Sequence, residues 1–485
     1  MPLPHHTDRR PAATTAAGDV PRPGVLLAVL AVAQLMVILD ISAVNVALPD
    51  LARDLGIARS DIGWAITSYS LVFGSLLLLG GRAADVIGRK RLFLSGLAVF
   101  TLASVVTSVS GDPASLYAAR AGQGLGAAML SPAALSILLT AFRGADRTRA
   151  LSVWGAVGGA GAALGVLLGG MLTEIIDWRA IFAINIPVGL VLAVAALRVV
   201  PRDVTRPQWR GLDLPGAVVG TAGLGAIVFA ISQAPTVGWI SARTLGVGAA
   251  GLLALAAFIA VELRVRRPLL RVQRLADRVV GGGMVMMLAV SAVLFGSFLL
   301  TSFYLQEVLG ASALMAGLAF LPMALAIGLG AHLGGRVMGH AGLRVPMAGA
   351  LAVASAGLVW LSRVGVAGNY ATDVLPGMVV TGLGLGVALV GVSASVLTGA
   401  ADDETGMLSG LNTTGHEIGG SLGVAALVSI ATSAAAGTSP TGGIGAAFLT
   451  AAAIAAIAGT IAFVVLPAAS TFVPALRLGP RVPLH

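Results

Sequence analysis

Two ionisable residues of this sequence lie inside apolar stretches, where charge is costly. Asp40 falls in an apolar run near the start of the chain, and Arg120 falls just inside another, from about 114 to about 139. An arginine at the centre of a bilayer costs about 2.5–3.5 kcal/mol on insertion scales, so such residues face a partner or a wet cavity and mark transport pathways. We therefore predict that Arg120 faces inward and pairs with Asp40. The alternative is that Arg120, near one end of its run, extends to the lipid headgroups.

A further carboxylate, Glu417, follows the acidic turn Asp402-Asp403-Glu404. If the chain is helical throughout, Glu417 lies about 20 Å beyond that turn, well inside the membrane. It should then face the cavity or a partner, or else stay neutral and bond to His416 or to the backbone. The candidates for lining a substrate cavity are Asn45, Gln123, Phe298, Tyr304 and Glu417. For the two aromatic candidates, Phe298 and Tyr304, packing against lipid is an equal alternative.

The composition indicates a membrane protein with many spans. Of the 485 residues, 57% are hydrophobic and only 11% are charged, far from the composition of soluble domains. The net charge of +9 does not indicate nucleic acid, because the arginines punctuate apolar runs instead of forming one basic face. The chain has no cysteine, which excludes disulfides, thiol catalysis and thiolate metal sites.

Apolar windows long enough to cross a bilayer predict fourteen transmembrane helices and an all-α polytopic fold. Most of the 30 Lys and Arg residues lie in alternate connecting segments. By the positive-inside rule, both termini are then expected in the cytoplasm. The segment 1–22 is polar, rich in Ala, Pro and Thr, and without the pattern of a signal peptide, so we expect a disordered cytoplasmic tail.

An internal repeat divides the chain into two lobes. Gly80-Gly81-Arg82 recurs as Gly334-Gly335-Arg336, and the flanking glycines align at the same spacing. Repeats in the same direction build two-lobed transporters with a central pathway. Asp40 and Arg120 align with Leu294 and Val380, so the ionisable pair belongs to the first lobe alone. The predicted units are a six-helix lobe at 23–200, a linker with two extra helices at 201–278, a second six-helix lobe at 279–466 and a cytoplasmic tail at 467–485.

The loop after the second span carries a recognisable motif. Gly81-Arg82-Ala83-Ala84-Asp85-Val86-Ile87-Gly88-Arg89-Lys90-Arg91 resembles the signature loop of the major facilitator superfamily, G-x-x-x-D-[RK]-x-G-[RK]-[RK]. The resemblance implies the major facilitator fold. It also implies a conformational latch between the lobes, made of Gly81, Asp85, Gly88, Arg89 and Lys90. Val86 stands where the family usually has a base, and the alternative reading is that the bases only anchor the topology.

Further stretches resemble the fourteen-span drug:proton antiporter family within that superfamily. They are Leu39 to Pro49 in the first span, Arg120 to Ala127 in the fourth, and Ser409 to Gly423 in the thirteenth. In the fifth span, Gly161, Gly165, Gly169 and Gly170 resemble the antiporter motif, with Val166 in place of its proline. Small residues at this spacing also permit close helix packing in any membrane bundle. His416-Glu417 stands where the family commonly has Arg-Gln.

This resemblance implies a monomeric transporter in the cytoplasmic membrane. Its expected function is to export lipophilic, in part cationic, drugs or antibiotics in exchange for protons. Asp40 would carry the proton and Arg120 would modulate its release. The expected energy source is the proton gradient, without a cofactor and without catalysis. The alternatives are a proton-linked symporter of a small metabolite and a membrane sensor or binding protein that does not transport.

Overall fold

The structure is a computed structural model that describes residues 22–58, 61–142, 144–203, 214–265, 272–397, 405–435 and 440–467. The helices of the first lobe are α1 (Pro23–Leu55), α2 (Trp64–Ile87), α3 (Arg89–Ser108), α4 (Pro113–Ala141), α5 (Gly144–Ile175), α6 (Ala180–Ala183) and α7 (Asn185–Val199). Between the lobes lie α8 (Leu214–Val237), α9 (Ala242–Glu262) and α10 (Gln273–Ala276). The second lobe contains α11 (Arg278–Phe303), α12 (Ala313–Ala341), α13 (Arg344–Leu361), α14 (Leu375–Val396), α15 (Thr405–Ala435) and α16 (Pro440–Val465). The π-helical turn Tyr304–Val308 follows α11, and a second π-helical turn, Tyr370–Val374, precedes α14.

The predicted all-α membrane fold is confirmed. Each predicted span overlaps one long helix, and the sixth overlaps α6 and α7 together. Among the described residues, eleven helical stretches are long and apolar enough to cross a membrane, and shorter apolar stretches lie in α2, α5 and α8. Fourteen spans are consistent with these helices and remain a prediction. The two predicted tails fall almost entirely outside the described residues.

Residue choices at the helix ends explain where several of these helices start and stop. Asp112 caps α4: its carboxylate accepts hydrogen bonds from the backbone N–H groups of Ala114 and Ser115, both at 3.0 Å. Pro113 follows at the first helical position, where its missing N–H costs nothing. At the end of α1, Gly56 takes a left-handed conformation with φ of 63°, which glycine adopts without steric cost. The turns on one side of the membrane are therefore encoded locally.

Each lobe has its own apolar core. In the first lobe, side chains from six helices converge, and they include Leu30, Phe73, Phe100, Leu138 and Leu192. In the second lobe, buried side chains from six helices do the same, and they include Met286, Phe320, Leu351, Leu385 and Phe448. Two separate cores let each lobe move as a unit, since most of the buried apolar contacts stay within one lobe.

The two inserted helices contact both lobes. α8 and α9 pack against each other, and α8 lies against α2 of the first lobe and α15 of the second. On α8, Phe229 approaches Trp64 with ring centroids 5.7 Å apart. On α9, Phe258 packs against a buried cluster that includes Leu408 and Leu411 of α15. The insertion therefore covers the seam between α2 and α15.

Close packing of α4 against α2 gives a test of the fold. A side chain at Gly124 would collide with the backbone carbonyl of Tyr69, so Gly124→Ala should lower stability by about 1–3 kcal/mol, as overpacking does. The matched control is Gly246→Ala in α9, where nothing lies within 4 Å; it should be neutral or add about 0.5–1 kcal/mol. Thermal denaturation of the purified variants in detergent measures both. Equal shifts of the two melting temperatures would contradict the packing described.

Candidate functional site

The structure brings Asp40 of α1 and Arg120 of α4 together in the middle of the first lobe. Arg120 Nη1 donates to the Asp40 carboxylate, and each residue is only 1% exposed. The Arg120 side chain therefore does not extend to the headgroups. Its Nε donates to the backbone carbonyl of Ala65 on α2 at 2.9 Å, and its guanidinium lies 4.5 Å from the ring centroid of Tyr69. Charge, hydrogen bonds and the aromatic face together compensate for burial of the cation.

Three amide and hydroxyl side chains complete the site. Gln123 Nε2 donates to Asp40 Oδ1 at 2.9 Å and to Ser104 Oγ at 2.8 Å. Asn185 Nδ2 donates to the same carboxylate oxygen at 3.0 Å, and Arg120 Nη1 donates to Gln123 Oε1 at 2.9 Å. Asp40 thus accepts from α4 and α7 at once, an arrangement that stabilises an ionised carboxylate.

Gln123, a predicted cavity residue, lies buried in this network, and its role in binding substrate stays a prediction. Ser104 and Asn185 were not predicted as site residues. Their signal in the sequence is that they are polar residues in otherwise apolar spans, and such residues generally bond to a partner helix.

The predicted latch lies where α2 passes into α3. Gly88 joins the two helices with φ of 113°, and a Cβ there would lie 2.5 Å from the Asp203 carboxylate. Asp203 in turn accepts from the backbone N–H groups of Lys90 and Arg91, at 3.0 and 3.1 Å. Lys90 Nζ donates to the carbonyls at the end of α7. These contacts join the loop to the end of α7 and to the first residues of the linker.

The remaining latch residues stay predictions. Gly81 borders open space on α2, Arg89 begins α3, and Asp85 lies on the last turns of α2, its side chain outside what the structure describes. A contact between these residues and the second lobe is therefore an open expectation.

The glycines of the antiporter-like motif lie along α5 where it meets other helices. A side chain at Gly165 or Gly169 would meet Ser42 or Ala43 of α1, and one at Gly161 would meet Ile38. Gly170 instead approaches the backbone of Ala313 at the start of α12. The stripe therefore brings α5 close to α1 within the lobe, and its last glycine reaches the second lobe.

The other cavity candidates take part mainly in packing. Phe298 stacks on Phe320 with centroids 4.0 Å apart. Tyr304 is buried, and its hydroxyl donates to the carbonyl of Gly365 at 2.7 Å. Asn45 Nδ2 donates to the carbonyl of Ile41 in its own helix at 3.0 Å. Their roles in binding substrate stay predictions.

Contacts between the lobes close the side on which α1 ends and α2 begins, which we call the outer side. Apolar side chains from six helices of both lobes form an outer seal, which includes Leu48, Leu51, Ile62, Leu299, Phe303 and Val424. Beyond the seal, both lobes line a cavity of about 930 Å³, whose polar walls include Asp50, Arg53, Glu174, Gln306 and Glu307.

Hydrogen bonds between the lobes stabilise the closed outer side, and they use backbone groups beside a proline or at a helix end. Pro49 lacks an N–H, so the Asn45 carbonyl, four residues earlier, loses its helical donor. Ser302 of the second lobe donates to that carbonyl at 3.2 Å, and Gln306 donates to the next one at 3.0 Å. On the other seam, Glu174 of α5 accepts from the backbone N–H of Leu314 in the first turn of α12 at 2.9 Å.

The comparisons with known proteins agree with this architecture. The family model described as Major Facilitator Superfamily matches residues 30–424. The chain belongs to the major facilitator superfamily. It is 41% identical over 433 residues to the puromycin resistance protein pur8 of Streptomyces alboniger, covering 87% of this chain and 86% of that protein. It is 40% identical over 410 residues to the cephamycin export protein CmcT of Amycolatopsis lactamdurans, covering 84% of each.

Among solved structures, this major facilitator resembles a bacterial homologue of the human lysosomal transporter Spinster, in an inward-facing and unoccupied conformation. The TM-score is 0.66 at 15% identity, and the match covers 96% of this chain and 100% of the other. At this level of identity the likeness supports the fold alone.

The Glu174 contact predicts how the outer side of this major facilitator opens. Glu174→Ala removes the acceptor at the start of α12, so the lobes should separate more often on the outer side. Because the chain has no cysteine, spin labels on Val109→Cys and Val366→Cys report the distance between the lobes without background. These positions are 73% and 68% exposed on the outer ends of the two lobes.

Double electron–electron resonance spectroscopy should show a larger population of long distances between the labels in Glu174→Ala than in the labelled parent. Asp50→Asn is the matched control, because Asp50 pairs with Arg53 of its own helix. Identical distance distributions in Glu174→Ala and the parent would contradict a gating role for this contact.

Proposed function

We propose that this protein exports lipophilic drugs or antibiotics across the cytoplasmic membrane in exchange for protons. The observation that carries the proposal is the buried Asp40–Arg120 pair, joined by Gln123 and Asn185. The two relatives support the substrate class, since one is a puromycin resistance protein and the other a cephamycin export protein. The substrates proposed are small lipophilic compounds, in part cationic.

Asp40 acts as the proton carrier in this proposal. In the structure its carboxylate faces a cation and two amide donors, which stabilise the ionised form. Protonation neutralises Asp40 and leaves Arg120 without its charge partner inside the membrane. That state is costly unless the helices rearrange or another anion approaches. Proton binding is thereby linked to movement of α1 against α4.

The proton gradient supplies the energy without a cofactor. Each proton that enters contributes about 2.3 kcal/mol per 100 mV of membrane potential. The pair has no counterpart in the second lobe, where Leu294 and Val380 align with it, so the proposed proton carrier Asp40 lies in the first lobe. We propose a monomer with both termini in the cytoplasm, and no nucleic-acid partner.

Uphill export tests the role of Asp40. In proteoliposomes with a pH gradient, Asp40→Asn should abolish accumulation of substrate against its gradient, because the amide cannot carry a proton. It should retain binding of neutral substrates, since the amide keeps the volume and much of the hydrogen bonding. Asp50→Asn on the same helix is the control and should export normally. Uphill export by Asp40→Asn would place the proton carrier elsewhere.

The planar guanidinium of Arg120 gives a second test of proton coupling. Arg120→Lys keeps the charge and loses the planar fork that bonds Asp40, Gln123 and Ala65 together. Its export per proton should fall well below that of the parent, and Arg120→Ala should be worse, because Asp40 would then hold its proton. The measurement is substrate and proton flux in the same vesicles. Normal coupling in both variants would reduce Arg120 to a structural residue.

A further inference from the structure

A second carboxylate lies between the two lobes and is not part of the Asp40–Arg120 pair. Glu417 of α15 is only 4% exposed, and it packs so tightly against α2 that a Cβ on Gly74 would lie 3.0 Å from the Glu417 Cβ. The hydroxyl of Ser70 on α2 donates to the Glu417 carboxylate. The other carboxylate oxygen, Oε2, has no hydrogen-bond partner. Glu417 therefore bridges the lobes with only half of its hydrogen-bonding capacity used.

Among the residues that the structure describes, no cation is paired with this carboxylate. Of the helices packed on α15, the described α8, α14 and α16 contain no ionisable residue. α9, which reaches α15 through Phe258, carries Arg243 and Glu262 at its two ends. α11 contributes only Arg278, its first residue, and α2 contributes Tyr69 together with Arg82 and Asp85. Arg82 lies twelve residues beyond Ser70 on α2, or about 18 Å along the axis.

The two nearer charged or titratable groups are engaged elsewhere. Arg120 lies 4.5 Å from the ring centroid of Tyr69 and is paired with Asp40. His416, the neighbour of Glu417 in sequence, points towards α11, where its Nδ1 lies 2.6 Å from Ser291 Oγ. An ionised carboxylate in this position would lack both water and a counterion, which costs several kcal/mol.

Several hydroxyl groups near Glu417 also lack a hydrogen-bond partner. Thr414 and Ser421 lie three residues before and four after Glu417, so all three are on one face of α15. Both hydroxyls are buried without a hydrogen-bond partner, as is the hydroxyl of Tyr69 on α2. This polar seam between α2 and α15 is stable only while Glu417 carries no charge.

We propose that Glu417 is a proton-binding site that must be occupied before the outer side closes. When α2 and α15 separate on the outer side, water reaches Glu417 and its carboxyl group exchanges a proton with the external solution. Closure buries the group, so the carboxylate takes up one external proton and becomes the neutral acid that accepts from Ser70. External acid therefore favours the outer-closed form. The inference deepens the proposed antiport and rests on it for its physiological meaning.

The equilibrium between the two forms tests the inference without substrate or transport. Spin labels on Val109→Cys and Val366→Cys again report the outer distance in the full chain, reconstituted in nanodiscs between pH 5 and pH 9. One proton bound on closing changes the ratio of closed to open populations by up to about tenfold per pH unit. In the labelled parent, the closed population should fall as the pH rises.

Glu417→Gln should remain mostly closed at every pH, because the amide is neutral and keeps the acceptor for Ser70. Ser70→Ala removes the hydrogen bond that favours the closed form, so it should move the midpoint to lower pH and keep the slope. Asp40→Asn should keep the slope as well, because Glu417 is intact in that variant.

Two results would overturn the inference. One is a pH dependence in Glu417→Gln equal to that of the parent. The other is loss of the slope in Asp40→Asn, which would assign the titration to the first-lobe pair. If Asp40→Asn still exported substrate uphill, the proposed function would be contradicted, but the result of this distance assay would not change. Failure of the proposed function and failure of this inference are therefore distinguishable.

Discussion

The rest of the site depends on keeping two opposite charges inside a membrane. Asp40 and Arg120 are each 1% exposed, and neither charge is tolerable there alone. Their pairing fixes how α1 approaches α4, and it recruits Gln123 and Asn185 as donors to the carboxylate. Glycine at position 124 lets α2 lie close enough for the Ala65 carbonyl to accept from Arg120. Close packing of small residues thus serves an electrostatic need.

The second constraint is that the two lobes must form contacts with each other that can break again. Between the lobes, closure on the outer side uses backbone groups that a helix cannot satisfy by itself, namely a carbonyl released by Pro49 and an N–H in the first turn of α12. Such contacts stabilise the closed form by a modest amount each, and they leave both helices intact when broken. Glu417 adds a contact of a different kind, because its stability depends on a proton.

The fold and the central pair could be predicted from the sequence because both follow from composition. Apolar windows locate the helices, and Asp40 and Arg120 stand out as opposite charges in apolar runs. The neighbours of the pair could not be assigned, since hydropathy does not say which face of α3 or α7 meets α1. For the same reason the sequence did not show that the Tyr304 hydroxyl donates to the Gly365 carbonyl; the role of Tyr304 in the cavity stays a prediction. The sequence offered His416 as a partner for Glu417, but contact across the lobes selects Ser70.

The most direct measurement of the central claim is proton release on substrate binding by the purified protein in weakly buffered detergent solution. If Asp40 exchanges its proton as the pair responds to substrate, adding a lipophilic cationic substrate should release protons in proportion to bound substrate. Asp40→Asn should bind without releasing them. Equal release from Asp40→Asn and the parent would contradict the assignment of Asp40 as the proton carrier.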